Sequence, residues 1–282
     1  MSDIKRKSGV IGWPVAHSRS PLIHNFWLED LGIEGSYDLL PLEPERADEF
    51  FKTFADSGLV GANVTLPHKE AAFRCITETD EVARRLGSVN TIYLEDGIVR
   101  ATSTDGYGFI AHLKSRVPSW DTTNSSAVVL GAGGSARAII GALLGAGTKQ
   151  VVVTNRTKER AEGLADTFGS AVSVADWEAR GDILADANLL VNTTSLGMSG
   201  KPPLDISLAK LPAQSIVYDI IYVPLETNLL KNAASLGHHC VDGLGMLLHQ
   251  AVPGFELWFG KRPTVTDALY HLVANSLKEE NP

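Results

Sequence analysis

The stretch Val128–Arg137, Val-Val-Leu-Gly-Ala-Gly-Gly-Ser-Ala-Arg, carries the most legible chemistry in this chain. A β-branched run ends at Gly131, and an Ala/Ile/Leu-rich run of helical composition begins near Ser135. Strand, glycine turn and helix in that order suit a dinucleotide pyrophosphate. Gly131 permits the tight turn, Gly133 lets backbone amides approach the phosphates, and Ala136 lets the helix pack closely on the strand. The helix N-terminus adds unpaired N–H groups and partial positive charge. Gly131, Ala132, Gly133, Gly134 and Ser135 are therefore the candidate phosphate cradle. The same pattern also serves as a plain tight connection in an α/β domain, so the next strand matters.

That strand, Val151–Thr154, runs into Asn155-Arg156-Thr157. Cofactors without a 2′-phosphate usually meet an acidic side chain here, bonded to the ribose hydroxyl. This chain has Asn155, then Arg156, with Arg160 a turn further on. Two guanidinium groups and no carboxylate match a 2′-phosphate, because the planar fork pairs with phosphate oxygens. The expected cofactor is NADP.

In the N-terminal half, Gly9–Gly12 reads as a strand that opens into the loop Trp13–Pro21. Proline at a first helical position with serine before it marks a helix start, which makes Ser20 the expected N-cap. Ser18 has no such part. Two hydroxyls at the C-terminal end of a strand also suit a substrate carboxylate, since open α/β sheets bind ligands at that edge. Asn63–Lys69 reads as strand, turn and helix start. A lysine in a first helical turn faces the positive end of the helix dipole, so Lys69 is either inconsequential or recruited for its charge. Asp105 reads as the cap of the helix that leaves this half.

The elements around these residues follow from pattern. Tyr37–Leu40 is a second strand, Pro44–Asp56 has helical apolar spacing, and Glu95-Asp96-Gly97 is a hairpin turn. Beyond the glycine turn, helix Glu159–Phe168, strands Ala187–Val191 and Ile216–Asp219, helix Asn228–Leu236 and strand His239–Val241 alternate as in a doubly wound sheet. A last amphipathic helix, capped by Thr266 or Asp267, runs to Leu277. The expected α/β organisation is a substrate domain over 1–106 and a Rossmann-like dinucleotide-binding domain over 107–245. Helices over 246–282 return to the first domain.

Composition narrows the classes. A chain of 282 residues suits two domains, and 44% hydrophobic with 21% charged residues describes a soluble globular protein. The net charge of −8 suggests no nucleic-acid partner. Cys75 and Cys240 form no metal-ligand spacing and fit a reducing compartment. The charged N-terminus lacks an apolar segment, and no run reaches membrane length, so a cytoplasmic protein without a membrane partner is expected. The eight histidines form no His-Glu-x-x-His motif, and no Gly-x-Ser-x-Gly elbow occurs, which counts against metal and nucleophilic hydrolases.

The motifs fall in a distinctive order. Ser18-Arg19-Ser20-Pro21, Asn63-Val64-Thr65-Leu66-Pro67-His68-Lys69, Val89-Asn90-Thr91 and Thr104-Asp105-Gly106 precede the glycine turn. Asn155-Arg156-Thr157, Asn192-Thr193-Thr194-Ser195-Leu196-Gly197-Met198, Tyr222 with Pro224, then Gly243, Met246 and Gln250 follow it. In these the chain resembles the shikimate dehydrogenases, NADP-dependent enzymes of aromatic amino-acid biosynthesis, over nearly its whole length. The resemblance implies that Lys69 is the catalytic base, paired with Asp105, and that Ser18 and Ser20 hold the substrate carboxylate. It places Thr65, Asn90, Asp105, Tyr222 and Gln250 on ring hydroxyls, and Gly131 through Ser135 on the pyrophosphate. Asn155, Arg156, Thr157 and Arg160 would take the adenosine end with its 2′-phosphate, Ile220 and Gly243 the nicotinamide end, and no metal takes part.

The implied reaction is reversible reduction of 3-dehydroshikimate to shikimate by hydride transfer, with a small-molecule substrate and a monomer or homodimer. Ser103, Ser88 and Thr193 depart from commoner family residues, yet all are small and none removes a chemical group. Two other readings stand beside this one. A quinate/shikimate dehydrogenase of broader range or NAD use is disfavoured by Ser18, Ser20 and Arg156. A catalytically inactive dinucleotide-binding regulator should have lost Lys69 or Asp105.

Overall fold

Strand β1 (Arg6–Gly12) is buried along its second half and pairs in parallel with β2 (Gly35–Pro41) on one side and β3 (Gly61–Val64) on the other. Consecutive residues Ser8–Gly12 are all buried, so both faces are covered, which is why Gly-Val-Ile-Gly shows no polar alternation. These strands belong to a computed structural model that describes residues 6–279. The chain divides into two units, Met1–Thr104 with Leu248–Pro282, and Asp105–Leu247.

The sheet of the first unit continues through β4 (Glu78–Thr79), β5 (Thr91–Glu95) and β6 (Ile98–Thr102), in the order β2-β1-β3-β5-β6-β4. β5 runs antiparallel to β3 and closes a hairpin with β6 through Asp96 and Gly97, both at positive φ (52° and 78°). An Asp-Gly pair in that conformation is the expected two-residue hairpin turn. The antiparallel step has a consequence for chemistry. Asn63 lies opposite Thr91 and Thr91 opposite Thr102, so the ends of β1, β3 and β6 and the start of β5 share one edge.

Aromatic residues fill the core beside β1 and β2: Trp27, Tyr37, Phe255 and Trp258 pack around His24. Both indoles also satisfy their N–H groups, Trp258 on the Ile92 carbonyl at 2.8 Å and Trp27 on that of Thr264 at 3.0 Å. The last helix, Asp267–Glu279, is capped by Thr266, whose hydroxyl accepts the Leu269 N–H at 3.3 Å. It packs against the helix Ser20–Asp30 of the same unit, where Arg19 reaches the Ser276 carbonyl at 3.4 Å.

One expected helix is broken. Pro44–Asp56 divides into a 3-10 turn (Pro44–Arg46), a short α-helix (Ala47–Lys52) and a second 3-10 turn (Phe54–Ser57). The break falls at Thr53, whose hydroxyl bonds back to the Glu49 carbonyl at 2.9 Å while its backbone leaves the helical region.

The second unit is a six-stranded sheet in the order β12-β11-β10-β7-β8-β9, parallel at every pairing. Its strands are β7 (Ser126–Leu130), β8 (Gln150–Thr154), β9 (Val172–Ala175), β10 (Leu189–Asn192), β11 (Ile216–Asp219) and β12 (His239–Val241). The order reverses between β7 and β10, which is the switch point where such sheets bind nucleotides. Among the described residues, no helix is long and apolar enough to cross a membrane.

Candidate active site

In the first unit the loop after β1 carries the two serines. Arg19, not Ser20, is the N-cap of the helix Ser20–Asp30, and no side chain caps it. Arg19 already has α-region dihedrals, so the Ser20 N–H turns onto the Ser18 hydroxyl at 3.3 Å. Ser20 is thereby the first helical residue and is nearly buried. Burial holds the Tyr37 phenol protonated, well above its ordinary value, with the nearby Ser20 hydroxyl opposing the shift. Tyr37 donates to the Asn63 side-chain carbonyl at 2.6 Å, and Asn63 donates to the Asn90 backbone carbonyl at 3.1 Å. A buried polar chain thus runs from β2 through β3 to the loop that carries Asn90.

The loop after β3 is pinned beside the first. Thr65 donates its N–H to Ile11 at 2.8 Å, and Trp13 donates to Leu66 at 3.1 Å. Lys69, half-buried, opens the helix Lys69–Cys75, and its carbonyl accepts the Val89 N–H at 3.1 Å. That bond sets Lys69 next to Asn90. Asn90 accepts at Oδ1 from the Thr104 N–H at 2.8 Å and from the Thr91 hydroxyl at 2.9 Å. Its amide nitrogen, left as a donor, stands 3.4 Å from Oε1 of Gln250 on the helix Leu244–Phe259. Ser18, Ser20, Thr65, Lys69, Asn90 and Gln250 therefore gather at one sheet edge. The set offers hydroxyl and amide donors with one cation, which is what a carboxylate-bearing polyol needs.

In the second unit the glycine turn follows β7. Gly131 has φ +107°, and a Cβ there would stand 2.6 Å from the Thr193 hydroxyl. Thr193 is itself fixed on the Leu130 carbonyl at 2.7 Å. Gly133 is the N-cap of the helix Gly134–Gly145, which starts one residue before the expected Ser135. A Cβ on Gly133 or Gly134 would meet nothing within 4 Å, so the space before this helix is open. Ala132 and Ser135 flank that opening, both half-buried.

The pocket here is walled by Gly131–Gly133, Asn155, Arg156, Trp177 and the loop Thr193–Leu196. Asn155 donates to the Thr157 carbonyl at 2.8 Å, which shapes the turn that presents Arg156. Thr157 and Arg160 are exposed and lie off the wall. At the end of the neighbouring strand, Asp176 is paired with Lys158 at 2.7 Å, so its charge is neutralised. An open helix N-terminus beside an arginine wall fits a dinucleotide with a 2′-phosphate. Trp177 had no signal in the sequence. It is half-buried after β9, with the Arg180 guanidinium 5.0 Å from its ring centre.

The remaining residues also belong to the second unit. Asp105, half-buried, opens the helix Asp105–Arg116. Ile220 and the exposed Tyr222 follow β11. Gly243 donates its N–H to Ile221 at 3.1 Å and lies so close to Ile220 that its missing Cβ would fall on the Ile220 carbonyl. Ile220 and Gly243 thus form one small backbone cluster. Among the described residues, no group of three His, Cys, Asp or Glu side chains is placed to hold a metal ion.

Comparison with known proteins adds an independent line. Three family models match: shikimate dehydrogenase substrate binding domain over residues 10–92, shikimate / quinate 5-dehydrogenase over 112–198, and shikimate 5′-dehydrogenase C-terminal domain over 243–266. A shikimate dehydrogenase (NADP(+)) of Paramagnetospirillum magneticum is 51% identical over 274 residues, covering 97% of this chain and 99% of that protein. A quinate dehydrogenase from Corynebacterium glutamicum, in complex with NAD, superposes with a TM-score of 0.87 at 29% identity, covering 96% of this chain and 99% of the other. A shikimate 5-dehydrogenase from Thermus thermophilus, in complex with NADP(H) and shikimate, gives 0.83 at 34%, covering 97% and 99%.

Proposed function

This chain belongs to the shikimate dehydrogenase family, and from that premise we propose that it catalyses the reversible NADP-dependent reduction of 3-dehydroshikimate to shikimate. The observation that carries the reading is the gathering of Ser18, Ser20, Thr65, Lys69, Asn90 and Gln250 at one sheet edge.

Bound NADP supplies a hydride acceptor at nicotinamide C4. The chain must orient the substrate and manage one proton. Ser18 and Ser20 hold the carboxylate, and Asn90 meets a ring hydroxyl with its amide nitrogen, with Thr65, Gln250 and Tyr222 on further hydroxyls. Lys69 takes the hydroxyl proton in the oxidising direction, or as an ammonium stabilises the developing alkoxide, with Asp105 as its acidic partner. Gly131 through Ser135 cradle the pyrophosphate. Asn155 and Arg156 receive the 2′-phosphate, with Thr157 and Arg160 at the rim, while Ile220 and Gly243 meet the nicotinamide end. The first unit is thus the substrate domain and the second the cofactor domain. The enzyme works in the cytoplasm, as monomer or homodimer.

A second reading, broader quinate or NAD use, has the likeness to the quinate dehydrogenase in its favour. Arg156 on the pocket wall and the absence of an acid at 155 weigh against it. Purified protein with shikimate and NADP⁺ should show rapid nicotinamide reduction, with quinate and NAD⁺ run in parallel. Comparable rates with quinate or NAD⁺ would move the assignment to the broader enzyme, and silence in every mixture from protein that binds NADPH would overturn it.

A further inference from the structure

We propose that Asp219 is a positioning residue of the cofactor site. It clamps the pocket-wall loop Thr193–Leu196 and the loop carrying Ile220 into one rigid piece, and so fixes where the nicotinamide half of the dinucleotide comes to rest. The proposal rests on the reading of the second unit as an NADP site.

Asp219 ends β11 with no solvent exposure, directly across from Asn192 at the end of β10. One carboxylate oxygen accepts the Asn192 amide at 2.9 Å and the Ile221 N–H at 3.2 Å. The other accepts the Thr227 hydroxyl at 2.8 Å, and Thr227 caps the helix Asn228–Ser235. Asn192 then extends the path toward the pocket. Its Oδ1 accepts the Thr194 N–H at 3.0 Å and the Thr194 hydroxyl at 2.7 Å. The Thr194 oxygen in turn accepts the Leu196 N–H at 3.1 Å. Thr194 and Leu196 line the pocket. On the other side, the Ile221 carbonyl receives the Gly243 N–H at 3.1 Å. Hydrogen bonds therefore run without a gap from the pocket wall, through Asp219, to the Ile220–Gly243 cluster.

The choice of a carboxylate is informative. Burying one is costly, and its partners here are all neutral. Burial raises the Asp219 carboxyl to about 6, with its bonds from Thr227, Ile221 and Asn192 opposing the rise. Two oxygens that only accept suit these three donors. An amide offers a single oxygen, and would force Thr227 to turn from donor to acceptor or set N–H₂ against the Asn192 and Ile221 donors. The side chain contacts neither the pocket nor open solvent, so its influence passes through the loops it holds.

The test compares wild type with Asp219→Asn and with the exchange Asn192→Asp/Asp219→Asn, which rebuilds the cross-strand bond with donor and acceptor reversed. Calorimetry would give the Kd for NADP⁺ and, separately, for 2′,5′-ADP, which carries only the adenosine half. Steady-state kinetics would give kcat, and melting curves would report folding. Asn155 and Arg156, which take the 2′-phosphate, follow β8 and Trp177 follows β9, so of this pocket's wall only Thr193–Leu196 moves with the clamp. Asp219→Asn should therefore lower kcat roughly tenfold or more and loosen NADP⁺, with 2′,5′-ADP changed less than about threefold. The exchange should recover part of both losses. Equal loosening of NADP⁺ and 2′,5′-ADP, or an unchanged kcat and NADP⁺ affinity, would overturn the proposal. If Asp219→Asn fails to fold, the exchange variant decides: wild-type melting with no recovery of NADP⁺ affinity over 2′,5′-ADP overturns it equally. Should the wild type prove inactive on shikimate, the function fails, while the two binding constants still judge the clamp.

Discussion

Asn90 turns its side-chain carbonyl onto the backbone N–H of Thr104 at 2.8 Å, which leaves its amide nitrogen facing Gln250 at 3.4 Å. The orientation is dictated, because a flipped amide would set N–H₂ against the Thr104 N–H. The amide nitrogen is therefore the donor end of this side chain. Asn90→Asp keeps the acceptor for Thr104 and replaces the donor by an oxygen facing the Gln250 oxygen. A lost hydrogen bond at a buried site costs about 1–3 kcal/mol, so KM for shikimate should rise roughly tenfold to a hundredfold, with the KM for NADP⁺ nearly unchanged. An unaltered shikimate KM in folded protein would remove Asn90 from the substrate site.

The two glycines of the phosphate turn should fail differently. Gly131→Ala places a Cβ 2.6 Å from the Thr193 hydroxyl at φ +107°, a conformation alanine avoids. It should lower the melting temperature, at a cost of about 1–3 kcal/mol. Gly133→Ala meets nothing within 4 Å and keeps an ordinary φ. It should melt like the wild type yet bind NADP⁺ weakly, since the Cβ occupies the space for the pyrophosphate. The reverse pattern in paired melting and binding curves would mean that the cradle is misplaced.

That contrast also shows what a sequence conveys. Gly131 and Gly133 were legible as a glycine turn between a strand and a helix because that spacing has a local cause. The Asp96-Gly97 hairpin and the parallel run of β-branched strands were legible for the same reason. Trp177 was not, because its place on the pocket wall depends on β9, a short edge strand with little apolar pattern, and on Arg180 lying over the ring. Nor was the chain Tyr37–Asn63–Asn90, which links β2 and β3 to the loop before β5 through tertiary hydrogen bonds. Serine before proline pointed to Ser20 as a cap, and only the α-region backbone of Arg19 moves that start by one residue.

The two arginines after β8 are not equivalent. Both are exposed, but Arg156 is part of the pocket wall and Arg160 lies off it. A charge-assisted hydrogen bond is worth about 1.5–3 kcal/mol, so Arg156→Ala should weaken NADP⁺ roughly tenfold to a hundredfold while NAD⁺ is hardly affected. Arg160→Ala should change NADP⁺ less than about threefold, as expected for a surface charge off the pocket wall. Equal effects on both cofactors for Arg156→Ala would refute its contact with the 2′-phosphate.

Lys69→Ala separates binding from chemistry. Removing a group that handles the proton should lower kcat by about two to four orders of magnitude. The dissociation constant for shikimate, measured by calorimetry, should shift far less, because the carboxylate and hydroxyl donors remain. Matching losses in both quantities would make Lys69 a binding residue only.

Acid should weaken the first unit through His24. Its ring is fully buried and stacks on Tyr37 with centroids 4.0 Å apart and planes within 6°. Burial pushes its pKa down to about 3 from 6.5, with Asn63 opposing the shift. The folded state therefore binds fewer protons than the unfolded chain below pH 6.5. The stability of the neutral ring is whole above that pH and is lost as pH falls toward 3. At about pH 5 the loss amounts to about 2 kcal/mol. His24→Phe keeps an aromatic ring against Tyr37 and cannot titrate, so urea unfolding of the two proteins should agree closely near neutral pH. The variant should then pull ahead by that amount at about pH 5. Parallel pH curves would show that His24 accepts its proton without unfolding, and would count against a neutral ring stacked on Tyr37.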